Sequence, residues 1–181
     1  MDLRPEEAFM LGYKPACTCQ KGNLRLKPYF DRLLEGKYPN YRFNDLEAYI
    51  FFRTEEEKEQ FVQDMKSVEL YSVEYVIKLG TVLGIPPKSI NFFAKYWESD
   101  YPKGKIGVNC SGIVFATHVD ILIEEVEYLW NKYRNTRAEE YPTIVEIGNN
   151  EYRYVINYGD VLELYSVAQD VSKIMSGKVT A

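Results

Sequence analysis

Histidine occurs once in the 181 residues, at position 118. Any catalysis that needs an imidazole must therefore use that ring. Cysteine occurs three times, at 17, 19 and 110. An odd count is a poor disulfide framework, and Cys17 and Cys19 have one residue between them where metal and redox pairs usually have two. No metal and no cofactor is expected. No Gly-rich phosphate loop is present; "LGTVLGIP" has two glycines at a spacing that fits neither nucleotide-binding pattern. The serine-hydrolase elbow is missing as well. No run of about 18 apolar residues exists, so no membrane span is expected. The first residues, "MDLRPEEAFMLGYK", carry acids where a secretory signal would be basic, and the expected location is the cytoplasm. No internal repeat stands out.

What is present begins with tyrosine, which occurs 16 times; aromatics make up 15% of the chain. Tyr adds contact area at low entropy cost and keeps a polar tip, which suits interfaces. Hydrophobic residues make up 46%, enough for a core without staples. Charge is uneven. Between 14 and 42, Lys14, Lys21, Arg25, Lys27, Arg32, Lys37 and Arg42 face only Asp31 and Glu35, while the whole chain carries −5. The organisation expected is a basic N-terminal annex, 1–45, and a compact acidic body, 46–181, or a single domain containing both.

Local signals predict an α+β fold: about six helices around a small, mostly antiparallel sheet of three or four strands. Pro5 with Glu6 and Glu7 starts a helix that stops near Gly12. Residues 13–24 read as loop, "KPYFDRLLEG" as a helix and "KYPNYRFN" as an extended connection. "EAYIFFR" is β-rich. Thr54 with Glu57 forms a capping box for a helix over 55–67, with Phe61, Val62 and Met65 on one side and acids on the other. A helical hairpin comes next over 71–97, broken by Gly84, Pro86 and Pro87; Gly80 in its first helix predicts close helix packing. "VNCSGIVFA", 108–116, reads as one strand. Thr117 with Asp120 then caps a helix that buries Val119, Leu122, Val126, Leu129, Trp130 and Tyr133. Residues 143–158 read as a hairpin turning at Gly148-Asn149-Asn150. Asp160 caps a last helix with Val161, Leu164, Tyr165, Ala168, Val171 and Met175 inward.

The run Asn109-Cys110-Ser111-Gly112 resembles the nucleophile motif of the NlpC/P60 cysteine peptidases, in which Asp-Cys-Ser-Gly precedes an apolar run. The resemblance implies a cysteine at a helix N-terminus, activated by the dipole, and a histidine base on a later strand. "TIVEIGNN", 143–150, resembles that strand, but positions 142–144 are Pro, Thr and Ile, and Asn109 stands where the family has Asp. His118 lies eight positions after Cys110. That is about 12 Å along a helix and farther along a strand, too far for a dyad.

The reading is therefore a non-enzymatic interaction protein. In composition it is similar to the small, acidic, Tyr-rich proteins made by phages and mobile elements, anti-CRISPR-type inhibitors among them. The resemblance implies inhibition or modulation of a partner protein that handles nucleic acid, because an acidic face can occupy a channel built for phosphate. Candidate partner-binding residues are Glu55, Glu56, Glu57, Glu59 and Asp64, with Tyr38, Tyr41, Tyr152 and Tyr154 as aromatic anchors. Two alternatives stand beside it. One is a nucleic-acid-binding module in which Lys21, Arg25, Lys27, Arg32, Lys37 and Arg42 hold phosphates while Tyr29, Phe30, Tyr38 or Tyr41 stack on bases. The other is a hydrolase with Cys110 as nucleophile.

Overall fold

A computed structural model of the chain describes residues 2–43, 47–133, 140–148 and 151–177. Seven α-helices and two antiparallel sheets are found among them, so the α+β class holds, with two sheets in place of one. Among the described residues no helix is long and apolar enough to cross a membrane.

The first sheet joins β1 (Ala16–Gln20), β2 (Asn40–Phe43) and β3 (Ala48–Phe52) in the order β1-β3-β2. Strand β3 is central, and its Ile50, Phe51 and Phe52 are buried one after another because helices cover both faces. On one face Cys17, Cys19 and Phe51 pack with Phe9 of α1 (Pro5–Leu11) and with Phe30 and Leu33 of α2 (Lys27–Glu35). On the other, Ala16, Phe43, Ile50 and Phe52 meet Phe61 of α3 (Glu55–Met65) and the apolar side of α4 (Val73–Val82). One expectation is corrected here: residues 16–20, read as loop, form an edge strand. Strands β2 and β3 lie on either side of the 45/46 boundary and pair with each other, so the basic segment shares a sheet with residues 48–52.

The second sheet contains β4 (Lys105–Cys110), β5 (Ile113–His118), β6 (Thr143–Ile147) and β7 (Tyr152–Ile156) in the order β5-β4-β6-β7. Its inner face packs against α6 (Leu122–Lys132) and α7 (Val161–Met175), forming the largest core cluster. The 143–158 hairpin is present; Asn149 and Asn150 of its expected turn lie outside the described residues. On α7, Leu164, Val167, Ala168 and Val171 are buried, whereas Val161 and Tyr165, expected inward, are exposed. Val62 of α3 is also exposed.

The capping box of Thr54 and Glu57 forms as expected. So does the pair α4 and α5 (Pro87–Lys95). A Cβ placed on Gly80 would lie 3.0 Å from Ile90 Cγ1, which accounts for the glycine in mid-helix. The N-terminus of α5 is capped from another helix: Glu125 of α6, itself buried, accepts the Ser89 N–H at 2.7 Å. The Ser89 hydroxyl meets Thr117 Oγ1 at 2.8 Å. Thr117 is thereby taken up inside β5. The cap expected of it falls to His118, whose Nδ1 accepts the Asp120 N–H at 3.2 Å ahead of a single 3-10 turn.

Candidate functional site

The Cys110 segment can be settled by geometry. Residues 105–118 are a hairpin, not one strand: Cys110 pairs with Ile113, and Ser111 (φ +50°) and Gly112 (φ +82°) make the two-residue turn. Positive φ at both central positions is the type I′ arrangement that matches strand twist. Gly112 is also pressed against α1, where an added Cβ would sit 2.2 Å from Ala8 Cβ. The small residues that carry the peptidase resemblance thus serve a turn and a contact.

Cys110 points into the core, takes a hydrogen bond from Thr143 Oγ1 at 3.4 Å, and has its thiol pushed up to about 11 by burial. His118 pairs with Lys105 at the opposite end of the hairpin. Five residues of strand separate it from the level of Cys110, about 17 Å, and alternation places it on the other face of the sheet. Its Nε2 lies 3.0 Å from the Lys103 carbonyl. Cysteine and histidine do not form a pair in this fold. Cys17 and Cys19 are buried free thiols too, raised by desolvation to about 12 and about 11. Among the described residues no three His, Cys, Asp or Glu side chains gather as a metal-ligand set.

The acidic residues of α3 behave differently. Glu55, Glu56, Glu57, Glu59 and Asp64 are all exposed. Helical spacing divides them. Glu56, Glu57 and Asp64, with Gln60, line a cleft of about 560 Å³, while Glu55 pairs with Lys58 and Glu59 lies outside the lining. Opposite them the cleft is apolar. Pro15 and Ala16 come from the start of β1, Phe52 from the end of β3, Phe61 from α3 itself, and Val82 with Thr81 from the end of α4. Tyr133, just past α6, closes one side. The cleft thus opens where the two sheets and their helices meet.

Its electrostatics are one-sided. Among the described residues that line it there is no Lys or Arg. Glu57 is partly committed, since its Oε2 accepts the N–H groups of Arg53 and Thr54 at 3.0 and 3.2 Å. Asp64 accepts from Gln60 at 2.8 Å. Glu56 is held below the usual carboxylate range by its own backbone N–H and by the Thr54 hydroxyl.

No protein-family model matches this chain, and comparison with curated proteins and with solved structures finds no match to either.

The aromatic anchors expected from the sequence are not gathered beside the acids. Tyr41 is nearest, with its ring 6.0 Å from Phe61 in a T-shaped contact. Tyr38 packs edge-on to Phe9 at 4.9 Å on the far face of the first sheet. Tyr152, exposed, and Tyr154, packed on the main core, belong to the second sheet. In the basic segment Lys21, Arg25, Lys27, Arg32, Lys37 and Arg42 are exposed, but Lys14 is buried. The stacking candidates there are compromised: Phe30 is buried, and Arg4 already covers the Tyr29 ring at 4.9 Å.

Local sequence reading missed Pro15, Phe52, Thr81, Val82 and Tyr133 as site residues. Phe61, read as the apolar side of an acidic helix, was the one signal that an apolar floor lies beside the carboxylates.

Proposed function

We propose that this chain is a non-enzymatic interaction protein, which binds a partner protein through the acidic face of α3 and inhibits or modulates it. One observation carries the reading: exposed carboxylates of α3 wall an apolar cleft with no cationic side chain among the described residues that line it. A surface of this kind favours a partner with a basic face. Nucleic-acid-handling proteins have such faces, and an acidic ligand that fills one competes with phosphate. The distance between Cys110 and His118 supports binding over thiol hydrolysis.

The test is a pull-down from native lysate at low and high salt with a nuclease control, followed by kinetics on the captured partner. Capture should survive nuclease and fall steeply with salt. Glu55→Lys with Glu56→Lys should slow association about tenfold with a smaller effect on dissociation. Glu57 is left intact because it closes the capping box. Capture that is indifferent to salt, or lost with nuclease, refutes the reading; the second outcome favours a nucleic-acid interface on residues 14–42.

A further inference from the structure

The cleft beside α3 differs from a plain acidic surface in having a floor. Pro15, Val82 and Tyr133 supply accessible apolar surface over the buried rings of Phe52 and Phe61, and Glu56, Glu57 and Asp64 stand along one wall. At about 560 Å³ it is the size of ordinary ligand pockets, which run about 300–1,000 Å³. A nucleic acid or an acidic peptide would bring its charge against three carboxylates. A purely polar basic segment would match the wall and leave the floor wet. A purely apolar segment would fill the floor and desolvate the wall without compensation. Apolar burial and charge pairing are satisfied together by one class of occupant.

We propose that the cleft receives a cationic amphipathic segment of the partner protein, with an apolar side chain on Pro15, Val82 and Tyr133 and a Lys or Arg against Glu56 and Asp64. This assignment rests on the reading of α3 as a partner-binding face and names what that face accepts. Burial on the floor supplies most of the affinity, and the carboxylates set orientation and approach rate.

The probe is a short fluorescein-labelled helical peptide of Leu and Lys, with Leu at amphipathic spacing. One control replaces Leu by Ser at the same charge, and another replaces Lys by Glu. Anisotropy at low salt gives affinity, and amide shifts of the labelled protein locate the contact. The Leu/Lys peptide should bind at least tenfold more tightly than either control, with shifts around 16, 52, 56–64 and 81–82. Thr81→Lys sets an ammonium at an exposed lining position and should weaken binding about tenfold. Glu56→Gln with Asp64→Asn should do so about fivefold, the modest loss expected of solvent-exposed ion pairs. Glu35→Gln, an exposed acid on α2 outside the cleft, should change it less than about twofold. Equal binding of the Ser control, or shifts confined to other faces, overturns the cleft proposal and leaves the acidic-face reading standing. If neither basic peptide binds and partner capture is salt-independent, both fall.

Discussion

Lys14 offers the sharpest test of how this fold distributes charge. It lies between α1 and β1, is 6% exposed, and has its amine lowered from the ordinary 10.5 to about 8. Desolvation is the main cause; Cys17 and Glu6 oppose it. The unfolded chain keeps the ordinary value. Between about pH 8 and 10.5 the unfolded state therefore holds a proton that the folded state has released, and stability contributed by this group rises with pH across that window. Below pH 8 both states are protonated and the full penalty applies. A fall of roughly 2.5, at about 1.36 kcal/mol for each, amounts to on the order of 3 kcal/mol. Lys14→Met keeps the length of the side chain and removes the charge. Urea unfolding followed by tryptophan fluorescence at pH 7, 8, 9 and 10, with unchanged m, should show the variant more stable by about 3 kcal/mol at pH 7. The gap should close as pH approaches 10.5. The thiols, raised from the ordinary 9.0 to about 11 or 12, lower stability above about pH 9 in wild type and variant alike, so they cancel in the gap between the two. A gap that is constant across the series, or a wild type more stable at pH 7, refutes the reasoning.

The three thiols should be silent toward a disulfide reagent in the native state and should all react in denaturant. At pH 8 a thiol at about 11 is ionised roughly one part in a thousand, against about one in ten for an ordinary one near 9, and burial slows it further; one fast native thiol would restore Cys110 as a nucleophile. Gly112→Ala should destabilise by about 3 kcal/mol, because it combines positive φ with contact on Ala8. Ser111→Gly, which relieves positive φ without a clash, should shift stability by less than about 1 kcal/mol. Glu125→Ala, which leaves the Ser89 N–H without its acceptor, should cost about 3 kcal/mol, and Glu125→Gln about 1 kcal/mol because an acceptor remains. Equal losses from the two Glu125 variants would show that packing, and not the cap, is what matters there.

Elements carried by strong local chemistry were legible. Thr54 and Glu57 announce α3, and Gly84 with Pro86 and Pro87 separates α4 from α5. What escaped depended on contacts between distant segments. Strand β1 reads as loop because its buried residues are Ala16, Cys17 and Cys19, and Thr18 is its single β-branched residue. It is a strand because β3 offers an edge and α1 and α2 cover that face. The start of α6 shifted because Ser89, 28 residues earlier, takes the Thr117 hydroxyl. The acids of the site were readable as a helix start. The cleft was not, since its floor and far wall come from residues 15–16, 52, 81–82 and 133, which only the fold brings together.

The order β1-β3-β2 places the last strand to be synthesised in the middle of the first sheet. A nascent chain ending before residue 48 carries two flanking strands with no centre to join, and Cys17, Cys19 and Phe43 have no partner strand to cover them. The N-terminal third must therefore wait on the ribosome until Ala48–Phe52 emerges. Any slowing of translation just before that point prolongs the time in which those edges are open to other chains.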